Sequence, residues 1–387
     1  MKNVVIAGYA RSPFQPARRG ELAKVRPDDL VAQVVRGLVD RTGIQVENIE
    51  DLILGCAFPE AEQGFNMARL VVFLADLPIS VSGVTVNRFC GSSMQAIHMA
   101  AGAIQMDAGE VFLCAGVESM TRVPMTGFNP MPNPALYKKQ PAAYMSMGET
   151  AENVGNSYKI SRVEQEEFAL ESQRKAAQAM EAGRLADEIV PITRVHSTGG
   201  NASVDTDGCL RPDSTLEKMA ELKLAFDENG TVTAATSAPL TDGAAATLVC
   251  TEQYAKENDL EALARIRSFA VSGCLPETMG LGPIGATQKA LKRAGIGVKD
   301  LSVVEINEAF ATQSIASIRD LGLDKATVNI DGGAIALGHP LGATGARITG
   351  KAAQLLKREG GKYALATQCI GGGQGIATVL EAIEATR

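Results

Sequence analysis

The sequence predicts a duplicated α/β protein, with two halves of alternating strands and helices packed together and a long irregular insertion between them. Three observations carry this. Residues 1–116 alternate strand-like and helix-like patterns, and the alternation resumes after Leu263. Such a rhythm implies parallel strands with helices on the faces. The two ordered stretches also share one order of elements. VTVN (84–87) leads through a small-residue turn and a helix to VFLCAG, and ATVN (326–329) leads through a Gly-rich turn and a helix to LATQCIG. Cys114-x-Gly116 thereby lines up with Cys369-x-Gly371. Finally, from Met120 to about Leu240 the pattern loosens into Pro-rich, irregular sequence, which reads as an insertion covering something.

NVVIAGYA opens the chain as a strand. DDLVAQVVRGLVDRTG is an amphipathic helix, with Asp at its start and Gly at its end. DLILGC, GVTVN and VFLCAG read as strands, separated by the helices FNMARLVVFLADL and GSSMQAIHMAAGAIQM. Inside the insertion one helix is clear, at residues 161–184, where Ser161 and Glu164 have capping-box spacing. The second half reads as strand ARIRSFAVSG, helix PIGATQKALKRAG, strand LSVVEI, helix EAFATQSIASIRDLG and strand ATVNI. It continues with helix GATGARITGKAAQLLKREG and strands YALATQC and GIATVLEA.

Composition narrows the class. With 45% hydrophobic residues and 21% charged, the 387 residues suffice for a sizeable core. A net charge of −7 argues against nucleic acid or an anionic membrane as a partner. Seven cysteines at irregular spacing, with no CxxC pair, argue against a disulfide framework and for a reducing compartment. With only three histidines, no metal site is expected. No long uncharged apolar run predicts a membrane span, and the N-terminus reads directly as a strand rather than a leader.

Four segments carry chemistry. Cys90 opens a helix in VNRFCGSSMQAI. Unpaired N–H groups and the helix dipole there favour a thiolate. Lowering its pKa from about 8.5 to about 7 takes roughly 2 kcal/mol. A small buried hydrophobe is the other reading. His339 sits in a Gly-rich, Pro-fixed turn in NIDGGAIALGHPLGATGAR, as a placed imidazole or a packed loop residue. Cys369 ends a strand in CIGGGQG. These glycines precede a strand, with no acidic ribose-binding residue at the right distance, so a dinucleotide site fails; freed backbone N–H groups for an oxyanion fit better. Asn307 and Glu308 stand at a strand-to-helix junction in INEAFATQ, where an N-cap is the alternative.

Together with GTVTAATSAPLTDGAAA (230–246) and MGLGPIGAT (279–287), these segments resemble the thiolase family along essentially the whole chain. The resemblance implies a thiolase-like duplicated αβαβα five-layered fold. Its N-terminal half would be residues 1–120 plus about 240–262, its inserted CoA-binding loop domain 121–239, and its C-terminal half 263–387. It implies thiolytic cleavage of 3-ketoacyl-CoA, ping-pong through an acyl group on Cys90. Cys369 would be the general acid/base. His339 would activate Cys90 and bind the thioester oxygen. Asn307 would hold a water, and the N–H groups of Cys90 and Gly371 would form a second oxyanion hole. A side chain at Gly371 would obstruct the approach.

Arg211 matches a position at the CoA nucleotide end, while Met147, Met279 and Phe310 match tunnel-lining positions. Ala238 stands where many members have a pantetheine-contacting Ser, with Ser237 beside it. Ser146-Met147-Gly148 replaces the His-Met-Gly of short-chain enzymes, which favours fatty-acid β-oxidation over acetoacetyl-CoA chemistry, the runner-up. A non-catalytic CoA-ester carrier and a dinucleotide-dependent oxidoreductase are the competing classes. CoA is expected as a substrate, with no permanently bound cofactor. The expected assembly is a homodimer or homotetramer, possible partner of a hydratase/dehydrogenase subunit, in the cytoplasm. Cys56, Cys114, Cys209, Cys250 and Cys274 read as structural, and His98 and His196 as ordinary helix and loop residues.

Overall fold

A computed structural model describes residues 2–195 and 200–383, so His196 lies outside the described residues. The first half contains β1 (Val4–Arg11), α1 (Pro27–Thr42), β2 (Asp51–Gly55), α2 (Met67–Leu74), β3 (Ser82–Val86), α3 (Ser92–Gln105) and β4 (Val111–Ser119). The insertion carries α4 (Met147–Tyr158) and α5 (Arg162–Glu181), and β5 (Thr241–Thr251) follows it. The second half contains β6 (Ala264–Gly273), α6 (Gly282–Ala294), β7 (Leu301–Ile306), α7 (Ala311–Leu321), α8 (Thr344–Glu359), β8 (Tyr363–Ile370) and β9 (Gln374–Glu381).

Strand order runs β7-β8-β9-β6-β1-β5-β4-β2-β3. The half-sheets repeat one order outward from their seam, where Val5 pairs Arg265 and Ile6 pairs Ala264. Helices α1 and α2 cover one outer face, α6 and α7 the other, and α3 packs against α8 between the sheets. That is the five-layered duplicated α/β fold.

The central α8 is buried on every side, Arg347 and Lys351 included. A charged helix can occupy that layer because its cations are paired. Arg347 meets Glu305 at 3.2 Å, and Lys351 meets Asp331 at 2.9 Å and Glu188 at 3.2 Å.

Several expectations need correction. The sheet is mixed: β2 pairs β3 and β4 in parallel, but β5 runs antiparallel to both β1 and β4. β5 itself, buried at all eleven residues, was not anticipated as a strand, because its Ala run lacks the β-branched signal. ATVNI is not a strand. Only Val328 bridges Val304, because Asn329 turns left-handed (φ 45°) and its side-chain amide takes the backbone N–H and C=O of Ile306.

The second helix of that half begins at Ala311, not Glu308, and its N-cap is Phe310, so neither Asn307 nor Glu308 is a cap. Ser161 accepts from the Glu164 N–H, but Glu164 pairs with Arg319 instead of closing the box. The complete capping box is Ser146–Glu149, at the start of α4. The repeat also registers differently. Gly243 pairs Glu118 and Gly375 pairs Cys369, while Gly55 pairs Gly116 and Ile306 pairs Thr367. The counterpart of Cys369 is therefore Glu118, not Cys114.

Candidate active site

Loops at strand ends and helix starts converge between the halves. Phe89 precedes Cys90 with a left-handed φ of 43°, a conformation that costs about 1–3 kcal/mol in a non-glycine residue. Three hydrogen bonds hold the turn. Asn87 Oδ1 accepts from Phe89 N–H (2.8 Å), Ser92 Oγ donates to Phe89 C=O (2.6 Å), and Arg88 N–H donates to Ser92 Oγ (2.9 Å). Gln368 Nε2 donates to the Cys90 carbonyl. Cys90 thus sits two residues before the first residue of α3, as its sequence implied.

Its thiol is not acidic. Burial pushes it up to about 12; the Gly371 N–H pulls it down, the Glu118 carboxylate adds to the rise, and the N–H of Cys90 itself pulls it down slightly. The expectation of a lowered pKa fails because desolvation outweighs two N–H groups at a short distance from a helix end. His339 is pushed down to about 3, by burial first and then by Arg347. Both shifts favour the uncharged forms at neutral pH, a thiol and a neutral imidazole.

His339 is fixed from three directions. Its N–H donates to Thr241 Oγ1 (2.9 Å), Nδ1 lies 2.6 Å from Thr344 Oγ1, and Nε2 lies 3.3 Å from Asn307 Nδ2. Thr344 Oγ1 donates its one proton to the Pro340 carbonyl (3.0 Å). It must then accept from Nδ1–H, which leaves the Nε2 lone pair as the basic position. Asn307 is fully buried, and its Oδ1 has no partner among the described residues. An orphan acceptor beside the imidazole is a place for a water molecule.

Cys369 donates its S–H to Gln313 Oε1 at 3.0 Å. Burial, and then the neighbouring Cys90, hold its pKa well above that of a free thiol. It packs with Met279, Phe310 and the half-buried Met147 in one apolar cluster. Gly371 lies against Met147 and Phe89, and a Cβ there would meet Met147 Sδ at an ordinary 3.5 Å. The protein itself leaves room for a Cβ at 371. The strict glycine is Gly373, with φ 87° and the Cys274 carbonyl 2.5 Å from its would-be Cβ.

A cleft of about 460 Å³ includes Arg211, Lys218, Ser237 and Pro239 in its lining. It approaches the thiols through an isolated bridge between Ser237 and Phe310. Ser237 Oγ is used internally, donating to Thr233 C=O at 2.8 Å. Ala238 is not in the cleft wall; its N–H donates to Ala309 C=O at 3.0 Å. Sequence reasoning missed Phe226, which stacks edge-on with Phe310 at 5.8 Å and occupies the space a Cβ on Gly148 would need. It also missed Lys218, Thr344 and Gln313, whose types carry no catalytic signature by themselves.

Glu308 supports the site from behind, accepting from Ser172 (2.6 Å), Asn329 (2.7 Å) and Ile335 N–H (3.2 Å). His98 is a packed helix residue, stacked on Phe269 at 4.2 Å and bonded to Thr378 at 2.8 Å. All seven cysteines are free.

Two buried thiols, an imidazole and backbone N–H groups on a duplicated α/β frame are what an acyltransferase of this architecture requires. Comparison with known proteins makes this particular. Residues 4–253 match the family model of the thiolase N-terminal domain, and residues 260–382 that of the thiolase C-terminal domain. The chain belongs to the thiolase family.

It is 46% identical over 389 residues to the 3-ketoacyl-CoA thiolase of Bacillus subtilis (strain 168), covering 98% of this chain and 100% of the relative. With that of Vibrio cholerae serotype O1 (Classical Ogawa 395) identity is 48%, over the same shares. Human mitochondrial 3-ketoacyl-CoA thiolase in complex with CoA is a structural neighbour at TM-score 0.89 and 36% identity, covering 99% of this chain and 98% of that one. Among the described residues no helix is long and apolar enough to cross a membrane.

Proposed function

We propose that this protein cleaves 3-ketoacyl-CoA with CoA, giving acetyl-CoA and a shortened acyl-CoA, in fatty-acid β-oxidation. The observation that carries the reading is the convergence of three buried groups: Cys90 packed against Leu341 of the His339 turn, His339 beside Asn307, and the Cys369 thiol on Gln313. Cys90 attacks the 3-keto carbon as its proton passes toward His339 Nε2. Cys369 protonates the departing acetyl-CoA carbanion. In the second half-reaction Cys369 deprotonates the incoming CoA thiol, which takes the acyl group from Cys90.

The N–H groups of Cys90 and Gly371 stabilise the tetrahedral oxyanion. Nε2–H of His339 and a water held by Asn307 Oδ1 stabilise the enolate oxygen. Arg211 and Lys218, both in the cleft lining, suit the anionic nucleotide end of CoA. Residues 121–239 act as the CoA-binding insertion, and Met147, Met279 and Phe310 line the passage for pantetheine and acyl chain.

The protein works as a homodimer or homotetramer. The support is the sheet edge at β3, whose outer side is unpaired, flanked by exposed Phe65, Phe73, Ile79 and Met106. A hydratase/dehydrogenase subunit as partner and a cytoplasmic location complete the reading.

The test is intact mass after brief exposure to 3-ketoacyl-CoA esters of graded length without free CoA, for wild type and Cys90→Ser. An adduct matching each acyl chain, absent from the variant, is expected. An adduct with the four-carbon ester alone would move the assignment to acetoacetyl-CoA chemistry. CoA binding with no adduct at any length would leave a carrier.

A further inference from the structure

The duplication creates two equivalent places, and Glu118 and Gly342 stand at one where Cys369 and Cys90 stand at the other. By strand register Glu118 is the counterpart of Cys369. Cys90 and Gly342 each stand two residues before the first residue of the paired central helices. Where Cys369 neighbours Cys90, Glu118 accepts from the N–H of Gly342 at 2.9 Å. Both places also carry a glutamine, Gln313 against Cys369 and Gln63 against Glu118.

The Glu118 carboxylate is fully buried and saturated with donors. Oε2 accepts from Ala57 N–H (2.9 Å) and Gly342 N–H (2.9 Å). Oε1 accepts from Phe58 N–H (3.2 Å) and Gln63 Nε2 (2.8 Å), with Cys56 Sγ at 3.7 Å. Two arms leave this hub. One runs from Ala57, whose carbonyl accepts from Asn87 Nδ2 (2.9 Å), to Asn87 Oδ1 and the strained Phe89 beside Cys90; the Phe58 ring packs on Phe89 at 5.8 Å. The other runs through Gly342 into the turn of Pro340 and Thr344 that orients His339. Gly342 fits only as glycine, since a Cβ would lie 2.4 Å from the Val117 carbonyl.

We propose that Glu118 is a positioning residue for acyl transfer, its carboxylate holding the Cys90 loop and the His339 loop at one fixed separation from the pseudo-equivalent of the thiol site. A carboxylate suits this hub because every partner is a donor. An amide would set its own N–H groups against either Ala57 and Gly342 or Phe58 and Gln63. The proposal rests on the thiolase chemistry above.

The test uses the full chain with Glu118→Gln and Glu118→Asp. Three readouts are needed: kcat and KM, melting temperature, and the rate of Cys90 alkylation by iodoacetamide, which needs no substrate. In Glu118→Gln kcat is expected to fall about 100-fold, the usual effect of a misplacement near 1 Å. KM for CoA should stay within about threefold, because the Arg211 cleft does not touch Glu118. The alkylation rate should change, and Glu118→Asp should recover part of kcat.

A folded Glu118→Gln enzyme with kcat within about threefold of wild type overturns the proposal. If that variant does not fold, Asn87→Ala cuts one arm without touching the carboxylate, and wild-type kcat there overturns it equally. Wild-type protein inactive on every 3-ketoacyl-CoA would defeat the thiolase reading instead. Alkylation of Asn87→Ala, which keeps the Glu118 charge and cuts one arm, then decides: the wild-type rate sinks the positioning role, and a changed rate sustains it.

Discussion

Alkylation of Cys90 by iodoacetamide, followed against pH, tests the central electrostatic claim. Burial pushes this thiol up to about 12 and His339 down to about 3. Both shifts oppose a resting thiolate–imidazolium pair. With a pKa near 12, the thiolate fraction at pH 8 is about 10⁻⁴ and grows tenfold per pH unit. The logarithm of the Cys90 alkylation rate should therefore rise with unit slope from pH 6.5 to 9, without a plateau. The assay is peptide mass spectrometry that separates Cys90 from the other six cysteines, with Cys90→Ser as background. His339→Asn should leave this profile nearly unchanged while slowing acylation by substrate about 10²- to 10⁴-fold, the usual contribution of a general base. A plateau with a midpoint near 7, abolished in His339→Asn, would refute the reasoning and restore the ion pair that the helix start alone suggests.

Other consequences are as direct. Gly371→Ala should keep the wild-type melting temperature, since its Cβ meets Met147 Sδ at 3.5 Å, and lose at least about tenfold in kcat/KM if the acyl path crosses it. Gly373→Ala should instead destabilise by about 1–3 kcal/mol, seen in denaturant unfolding. Arg211→Ala should raise KM for CoA by about tenfold with kcat little changed, and should flatten the dependence of KM on salt.

Asp331, held by Arg184, Lys351 and Arg358 at 2.7–2.9 Å, has its pKa well below the usual carboxylate range despite burial. Its stabilisation is present above the unfolded value of about 3.9 and lost as pH falls toward the folded value. Asp331→Asn should cost about 3 kcal/mol at pH 7, because it removes a buried carboxylate from three cations, of which Lys351 keeps Glu188 and Arg358 keeps Glu359, and should remove part of the acid sensitivity below pH 4.

The fold was legible where hydrophobic period and end signals agree. The strand Ala264–Gly273 and the strand Leu301–Ile306 fall where alternation placed them, and α1 ends at Gly43 in the left-handed conformation its sequence announces. It was not legible where side chains replace backbone pairing. Nothing in ATVNI shows that Asn329 would take over the ladder bonds of Ile306. Nor does TDGAAATLVCT read as the strand between β1 and β4, because its alanine run lacks the β-branched and aromatic residues that mark a strand. The site divides the same way. Cys90, His339 and Cys369 stand out as candidates by residue type and glycine-rich setting, and Asn307 only through the family resemblance. Their supports do not, since a threonine, a glutamine and a glutamate are ordinary until their partners are known.

The acidity of Cys90 shows why that division matters for mechanism. Sequence supplies the local terms: a helix start and small neighbours. Each favours the thiolate or leaves it alone. Desolvation is a tertiary term, set by how tightly Phe58, Met120 and Leu341 close around the sulfur, and here it exceeds the local terms. A buried neutral thiol is a poor nucleophile at rest, so reactivity must arise when substrate and imidazole meet it together. That makes the geometry between two loops, one from each half of the duplication, the quantity on which catalysis depends. Glu118 is the group that spans both loops, and it stands at the position equivalent to Cys369 in the other half.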